Sequence, residues 1–164
     1  MRQIILRGNL NLSTLVDDED YEKYHHLPWR PSKKRSGYYA FYWNGPKSVW
    51  LHRLILDTGK DEVDHRSGDT LDNRKRNLRR ATPSQNRCNT RSRRGVTGFR
   101  GVKLDTRFKK LGLGAPFVVY INFERKAIYV GKFYDAFQAA AAYDDKAREV
   151  HGEFARLNFP ERTP

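Results

Sequence analysis

Asp64 and His65 stand side by side ahead of a loop carrying Asp72-Asn73 and Asn77, and Thr82-Pro83-Ser84-Gln85-Asn86 follows within the most basic part of the chain. Phosphodiester hydrolysis needs an attacking water deprotonated in line with the bond, and relief of charge on the departing oxygen. A neutral imidazole with an ordinary pKa of about 6.5 suits the first task, so His65 is the expected general base. A divalent ion on hard oxygen ligands suits the second. Asp64 offers a carboxylate and Asn86 a carboxamide oxygen, leaving other positions to water and phosphate, as Mg2+ or Mn2+ prefers. Asn77, both donor and acceptor, is expected to tie loop backbone to strand and to hold His65 in orientation. Neighbours on a regular strand face opposite sides, so Asp64 and His65 can share a site only at a strand end or bulge; Arg66-Ser67-Gly68 supplies a loop there. Taken singly, such residues are common in polar loops, and it is their combination that points to phosphodiester cleavage.

Charge names the partner class. The 164 residues carry 32 Lys+Arg against 19 Asp+Glu, a formal charge of +13 and a pI near 10.0. Such a chain is drawn to a phosphate backbone, so double-stranded DNA leads, with RNA as the rival polyanion. From Arg66 to Arg94 ten basic residues face two acidic ones, Asp69 and Asp72. A membrane surface is disfavoured, because the clearest helix carries Asp135, Asp144, Asp145 and Glu149. No stretch approaches the roughly 18 apolar residues of a spanning helix, and Met1-Arg2-Gln3 opens no secretory signal, so the expected compartment is the cytoplasm. Cys88 is the single cysteine, which excludes a disulfide framework and a structural zinc site of paired thiolates. It reads as a bystander thiol on a helix.

The elements that must position these groups divide the chain at residues 87–97, a polar, arginine-rich stretch that cannot build a core. It reads as a linker or arm whose Arg87, Arg91, Arg93 and Arg94 follow phosphates. In residues 1–86, Ile4-Ile5-Leu6 and Ser13-Thr14-Leu15-Val16 read as strands around Gly8-Asn9, and Asp17 to His26 as a short helix. His25 and His26 fall at its exposed end. Tyr38 to Trp43 and Ser48 to Leu51 read as a hairpin through Asn44-Gly45-Pro46. Their aromatic density fits a base-stacking platform, but core is the default in a small domain. His52 reads as a hydrogen-bonded packing residue. Val63-Asp64-His65 and Asn77 to Ala81 read as an outgoing and a returning strand. A helix then starts at Thr82, an N-cap followed by Pro83 and, three residues on, by Gln85 in a capping box. This places Asn86 in the first turn, facing the strands.

At these residues the chain resembles the HNH nuclease family, and closely its phage and intron-encoded homing endonucleases, through Val63-Asp64-His65, Leu71-Asp72-Asn73-Arg74, Asn77-Leu78-Arg79 and Ser84-Gln85-Asn86. The resemblance implies a ββα-metal core in which His65 activates water, Asn77 is structural, and Asp64 with Asn86 binds one metal ion. Leu15 to Asp20 and Leu51-His52-Arg53-Leu54 are similar to stretches upstream of that core, so the likeness covers most of residues 1–90.

Residues 98–164 read as three strands, at Gly98 to Val102, Phe117 to Ile121 and Ala127 to Gly131, with a helix from about Asp135 that stops at Gly152. This part resembles the AP2 DNA-binding domain through Phe99-Arg100-Gly101-Val102, Tyr129-Val130-Gly131-Lys132-Phe133, Ala139 to Asp144 and Leu157-Asn158-Phe159-Pro160. The resemblance implies a three-stranded antiparallel sheet, packed by one helix and laid in the major groove. Arg100 and Lys103 stand at or near base-reading positions, with Tyr120, Asn122 and Tyr129 elsewhere on the sheet; phosphate anchoring is the commoner use of each cation. The fold class expected is therefore α+β throughout. The function expected is metal-dependent DNA cleavage by a monomer or weak homodimer. A DNA-binding regulator on an inactive nuclease fold, and a ribonuclease, are the alternatives.

Overall fold

The computed structural model describes residues 1–59, 61–89, 95–107, 116–124 and 126–161. It is a mixed α+β chain of small antiparallel sheets and helices that divides into two compact units after Asn89. The first unit begins with β1 (Arg2–Ile5) paired to β2 (Ser13–Val16), then α1 (Asp18–Tyr24). A meander of β3 (Arg30–Lys34), β4 (Gly37–Asn44) and β5 (Lys47–Trp50) follows, continuing into α2 (Leu51–Leu56). Last come the β6 (Glu62–His65) and β7 (Leu78–Ala81) ribbon and α3 (Pro83–Cys88).

Alternation decides what each strand buries. In β2, Thr14 and Val16 are fully enclosed while their neighbours are not. Trp29 fills the centre of the first unit among Ile4, Val16, Ala40, Leu51 and Leu78, and its indole N–H is satisfied by the Tyr24 carbonyl at 2.7 Å. Two elements differ from the sequence expectation. β3 forms across Pro31, which its place at a sheet edge permits, and Leu51 to Leu56 is a helix that turns Leu51 and Ile55 into the core. The capping box of α3 is present as read, Thr82 accepting from the Gln85 N–H and Gln85 from the Thr82 N–H. That helix runs through Arg87 and Cys88 to a buried Asn89, so the first unit extends past residue 86. Of the expected arm residues, Arg91, Arg93 and Arg94 lie outside the described residues.

The second unit is a sheet in the order β10 (Lys126–Phe133), β9 (Phe117–Phe123), β8 (Val102–Leu104), backed by α4 (Ala136–His151). Asp135 caps α4 through the Gln138 N–H at 2.7 Å, and Ala139, Ala140 and Ala147 are fully buried against the strands. Small side chains let that helix sit close to the sheet. Gly98 to Gly101 makes a turn rather than the expected strand start, because both glycines take left-handed backbone at φ +73°. The tail is pinned by Asp144, whose buried carboxylate accepts from the Asn158 and Phe159 backbone N–H groups at 2.7 and 2.8 Å. Among the described residues no helix is long and apolar enough to cross a membrane.

Gly101 gives a direct check of this packing. A Cβ there would stand 2.1 Å from Tyr143 Cδ2 and 3.0 Å from the Tyr120 carbonyl oxygen, on left-handed backbone. Gly101→Ala is expected to destabilise the second unit by about 2–4 kcal/mol, read as lost amide-exchange protection in α4. Unchanged protection would contradict the described contact.

Candidate active site

Asp64 and His65 end β6, cross-strand from Arg79 and Leu78. Both are 4 % exposed. As strand alternation requires, their side chains meet different neighbours. The Asp64 carboxylate is gripped by Arg79, with Nη2 and Nε at 2.6 and 2.8 Å from Oδ2. Asn89 Nδ2 reaches Asp64 Oδ1 at 3.0 Å and also donates to the His65 carbonyl at 2.8 Å. One carboxamide therefore clamps both residues at the strand end.

The His65 ring faces the other way, toward Asn73, Tyr39 and His52. Its Nε2 lies 3.2 Å from Asn73 Oδ1. Asn73 Nδ2 donates to Thr14 Oγ1 at 2.7 Å, and Thr14 in turn donates to the Leu71 carbonyl at 2.7 Å. This chain of bonds has one direction. The carbonyl of Leu71 only accepts, which makes Thr14 the donor there, Asn73 Nδ2 the donor to Thr14, and Asn73 Oδ1 an acceptor. His65 must then carry its proton on Nε2, leaving Nδ1 as the basic nitrogen. Among the described residues Asp20 Oδ2 and Thr58 Oγ1 are the enclosed side-chain polar atoms that lack a hydrogen-bond partner, so Nδ1, with no hydrogen bond to protein there, is within reach of solvent.

Burial pushes the His65 imidazole below its ordinary pKa, against the Asn73 hydrogen bond and the charges of Asp64, Asp69 and Asp72, which pull it up. His52, its rings 5.4 Å away, is pushed down to about 3 by burial, then by His65 and Arg53. Both imidazoles are neutral at pH 7. A base must be neutral to accept a proton, so this suits His65.

The loop between β6 and β7 is built largely by Asn77. Its Oδ1 accepts from the Ser67 N–H at 2.9 Å, its Nδ2 donates to the Asp72 carbonyl at 2.7 Å, and its own carbonyl accepts from Arg66. The expected bridge from loop to strand is thus present, but the residue that orients the imidazole is Asn73 rather than Asn77. Asn73 itself is fixed from the N-terminal hairpin, since Leu15 exchanges backbone bonds with Leu71 and Asn73 at 2.9 and 2.8 Å. The sequence carried half of this signal in Leu71-Asp72-Asn73-Arg74. Thr14 lies 59 residues from Asn73 and has no local signature.

Asn86 faces β6 from the first turn of α3, as expected, but meets Glu62 rather than Asp64. Its Nδ2 donates to Glu62 Oε2 at 2.7 Å, while Asn89, one turn later, lies over Asp64. Glu62 and Asp64 share a face of β6, so α3 presents two amides to two carboxylates, and the Asp64 partner is the second amide. For a cation the donor set is hard oxygen. Asp64 Oδ2 is saturated by Arg79, whereas Oδ1 accepts only from Asn89 among the described residues and keeps lone-pair room. That carboxylate oxygen fits Mg2+ or Mn2+, which take few protein ligands and keep water, while both α3 amides turn their NH2 groups to the carboxylates. Among the described residues no three His, Cys, Asp or Glu side chains converge as a thiolate or imidazole centre requires.

In the second unit, Lys103, Tyr120, Asn122, Tyr129 and Lys132 occupy the sheet face opposite α4. Tyr120 and Tyr129 are 39 % and 55 % exposed, 5.5 Å apart, with Lys103 Nζ 5.9 Å from the Tyr120 ring. Arg100 is not part of this group: its Nε donates to the Tyr143 hydroxyl at 3.0 Å, on the helix side. Arg87 is exposed on α3.

The neutral histidines fix a pH dependence. Their folded pKa values lie below the unfolded value of about 6.5, so the unfolded chain binds more protons as pH falls, and stability declines from about pH 6.5 downward. For His52 the decline between pH 6.5 and 5 is about 2 kcal/mol. All three tryptophans lie in the first unit, so urea unfolding followed by their fluorescence reads that unit alone. His52→Gln is expected to flatten the profile; an unaltered profile would contradict burial as the cause.

No protein-family model matches this sequence, and neither a curated protein nor a solved structure is found to match it.

Proposed function

We propose that the chain is a divalent-metal-dependent DNA endonuclease of the HNH type, whose second unit is an AP2-like module that carries the chain onto duplex DNA. The observation that supports this most is the single-tautomer His65, its Nδ1 left basic at the end of β6, where Asp64 is the next residue in the chain. In this reading Nδ1 takes the proton of a water attacking the scissile phosphorus. Asn73 holds the ring so that Nδ1 stays the acceptor. Arg79 keeps Asp64 aimed, and Asn89 ties that carboxylate to the His65 backbone. Asp64 would hold the metal ion through the lone-pair room left on Oδ1, with Asn86 as the expected carboxamide ligand; Asn89 turns its NH2 rather than its oxygen to that carboxylate. When bound, Mg2+ or Mn2+ supplies charge neutralisation at the scissile phosphate and the departing oxygen.

Binding is the work of charge. A net +13 favours any polyanion, and the Lys103, Tyr120, Asn122, Tyr129 and Lys132 face offers cations beside aromatic and amide groups, a composition suited to phosphate and base edges together. Arg100, held by Tyr143, is assigned a packing role.

Plasmid cleavage in Mg2+ tests the reading. His65→Ala is expected to lower turnover by at least about 100-fold with duplex affinity retained. Retained cleavage in that variant, or no metal-dependent cleavage by the wild type, would remove the proposal. A metal titration tests the ligand set: Asp64→Ala is expected to abolish Mn2+ binding and Asn86→Ala to weaken it, and unchanged binding in either variant would remove that residue from the set.

A further inference from the structure

The outer face of the β3–β4–β5 sheet reaches His65 through Tyr39 and carries rings that the site above does not use. Alternation along β4 puts Tyr39, Phe41 and Trp43 on that face, and the register adds Trp50 and Arg30 opposite Phe41, and Lys34 opposite Gly37. Ala40 and Tyr42 face the core side, Tyr42 meeting Trp29 edge-on. Core duty thus explains Trp29 and Tyr42 but not the outward rings. These run in series: Trp43 to Phe41 at 5.8 Å, Phe41 stacked on Trp50 at 5.4 Å, Trp50 to Tyr39 at 6.2 Å, and Tyr39 to His65 at 5.8 Å. Trp43 is 61 % exposed, and Lys34 Nζ stands 5.2 Å from the Trp50 ring.

We infer that this face takes an unpaired stretch of the DNA strand leading to His65, with a base laid on Trp43, which Phe41 and Trp50 support, and phosphates on Arg30 and Lys34. The inference rests on DNA as the substrate. Two observations favour an unpaired strand over a closed duplex. Base faces, which the exposed Trp43 ring complements, are hidden in a duplex and open in a single strand. Lys34 lies over the Trp50 ring and Arg30 stands opposite Phe41, so cations and rings share one narrow track, as a single backbone requires. A second copy of this chain would also cover exposed aromatics, but it would not use Arg30 and Lys34, which would then repel their symmetry mates.

The test is tryptophan fluorescence titration of the full chain in chelator, with an oligothymidylate and with a duplex of matched length. The oligothymidylate is expected to quench the emission. Trp43→Ala should weaken that binding about 5- to 100-fold while duplex affinity is kept, and Trp43→Phe should restore most of it. Lys34→Ala should weaken it too, with a shallower salt dependence. The inference is overturned if Trp43→Ala binds oligothymidylate as the wild type does or loses both nucleic acids equally. It is likewise overturned if the wild type sediments as a dimer that Trp43→Ala dissolves. Because no cleavage is needed, a chain that passes this test yet never cuts DNA would discard the nuclease reading and keep the surface.

Discussion

A one-way chain of hydrogen bonds, from Nε2 of His65 through the Asn73 amide to the Thr14 hydroxyl and the Leu71 carbonyl, sets the chemistry of the first unit. Each acceptor is fixed by the next group along, and the last is a backbone carbonyl with no alternative role. An isolated imidazole divides its proton between two nitrogens. Here the proton is assigned, and the other nitrogen is thereby made basic. The groups are buried, so a broken link would leave an unpaired polar atom out of water, which costs about 1–3 kcal/mol. That cost is what keeps the arrangement single.

The N-terminal hairpin consequently belongs to the site. β2 supplies Thr14, and Leu15 binds the loop backbone on either side of Asp72. Asp17 and Glu19 add to the hold, accepting from the backbone and ammonium of Lys75 at 2.8 and 2.6 Å. Both contacts are exposed, and the Lys75–Glu19 ion pair is individually weak. Their value is geometric, since they fix the loop that carries Asn73.

What the sequence made legible was local. The capping box at Thr82 and Gln85, the strand alternation of β2 and β9, and the alanine-lined α4 each follow from residues within a few positions of one another. Asp64 and His65 at a strand end were legible for the same reason. The misplacements were those of register and distance. Asn86 and Asn89 are one turn apart on α3, and which of them lies over Asp64 depends on how that helix packs on β6, which no local pattern specifies. Asn77 and Asn73 are both loop asparagines, and only the tertiary contact with Thr14 shows which one orients the ring. Arg100 reads as an exposed cation in sequence, yet the turn at Gly98 and Gly101 brings it to Tyr143.

The central claim is most directly tested by long-range 15N–1H correlation spectra of the histidine rings near neutral pH. The account predicts a neutral His65 with its proton on Nε2, and loss of that preference in Asn73→Ala. A wild-type His65 protonated on Nδ1, or carrying both protons at pH 7, would contradict it.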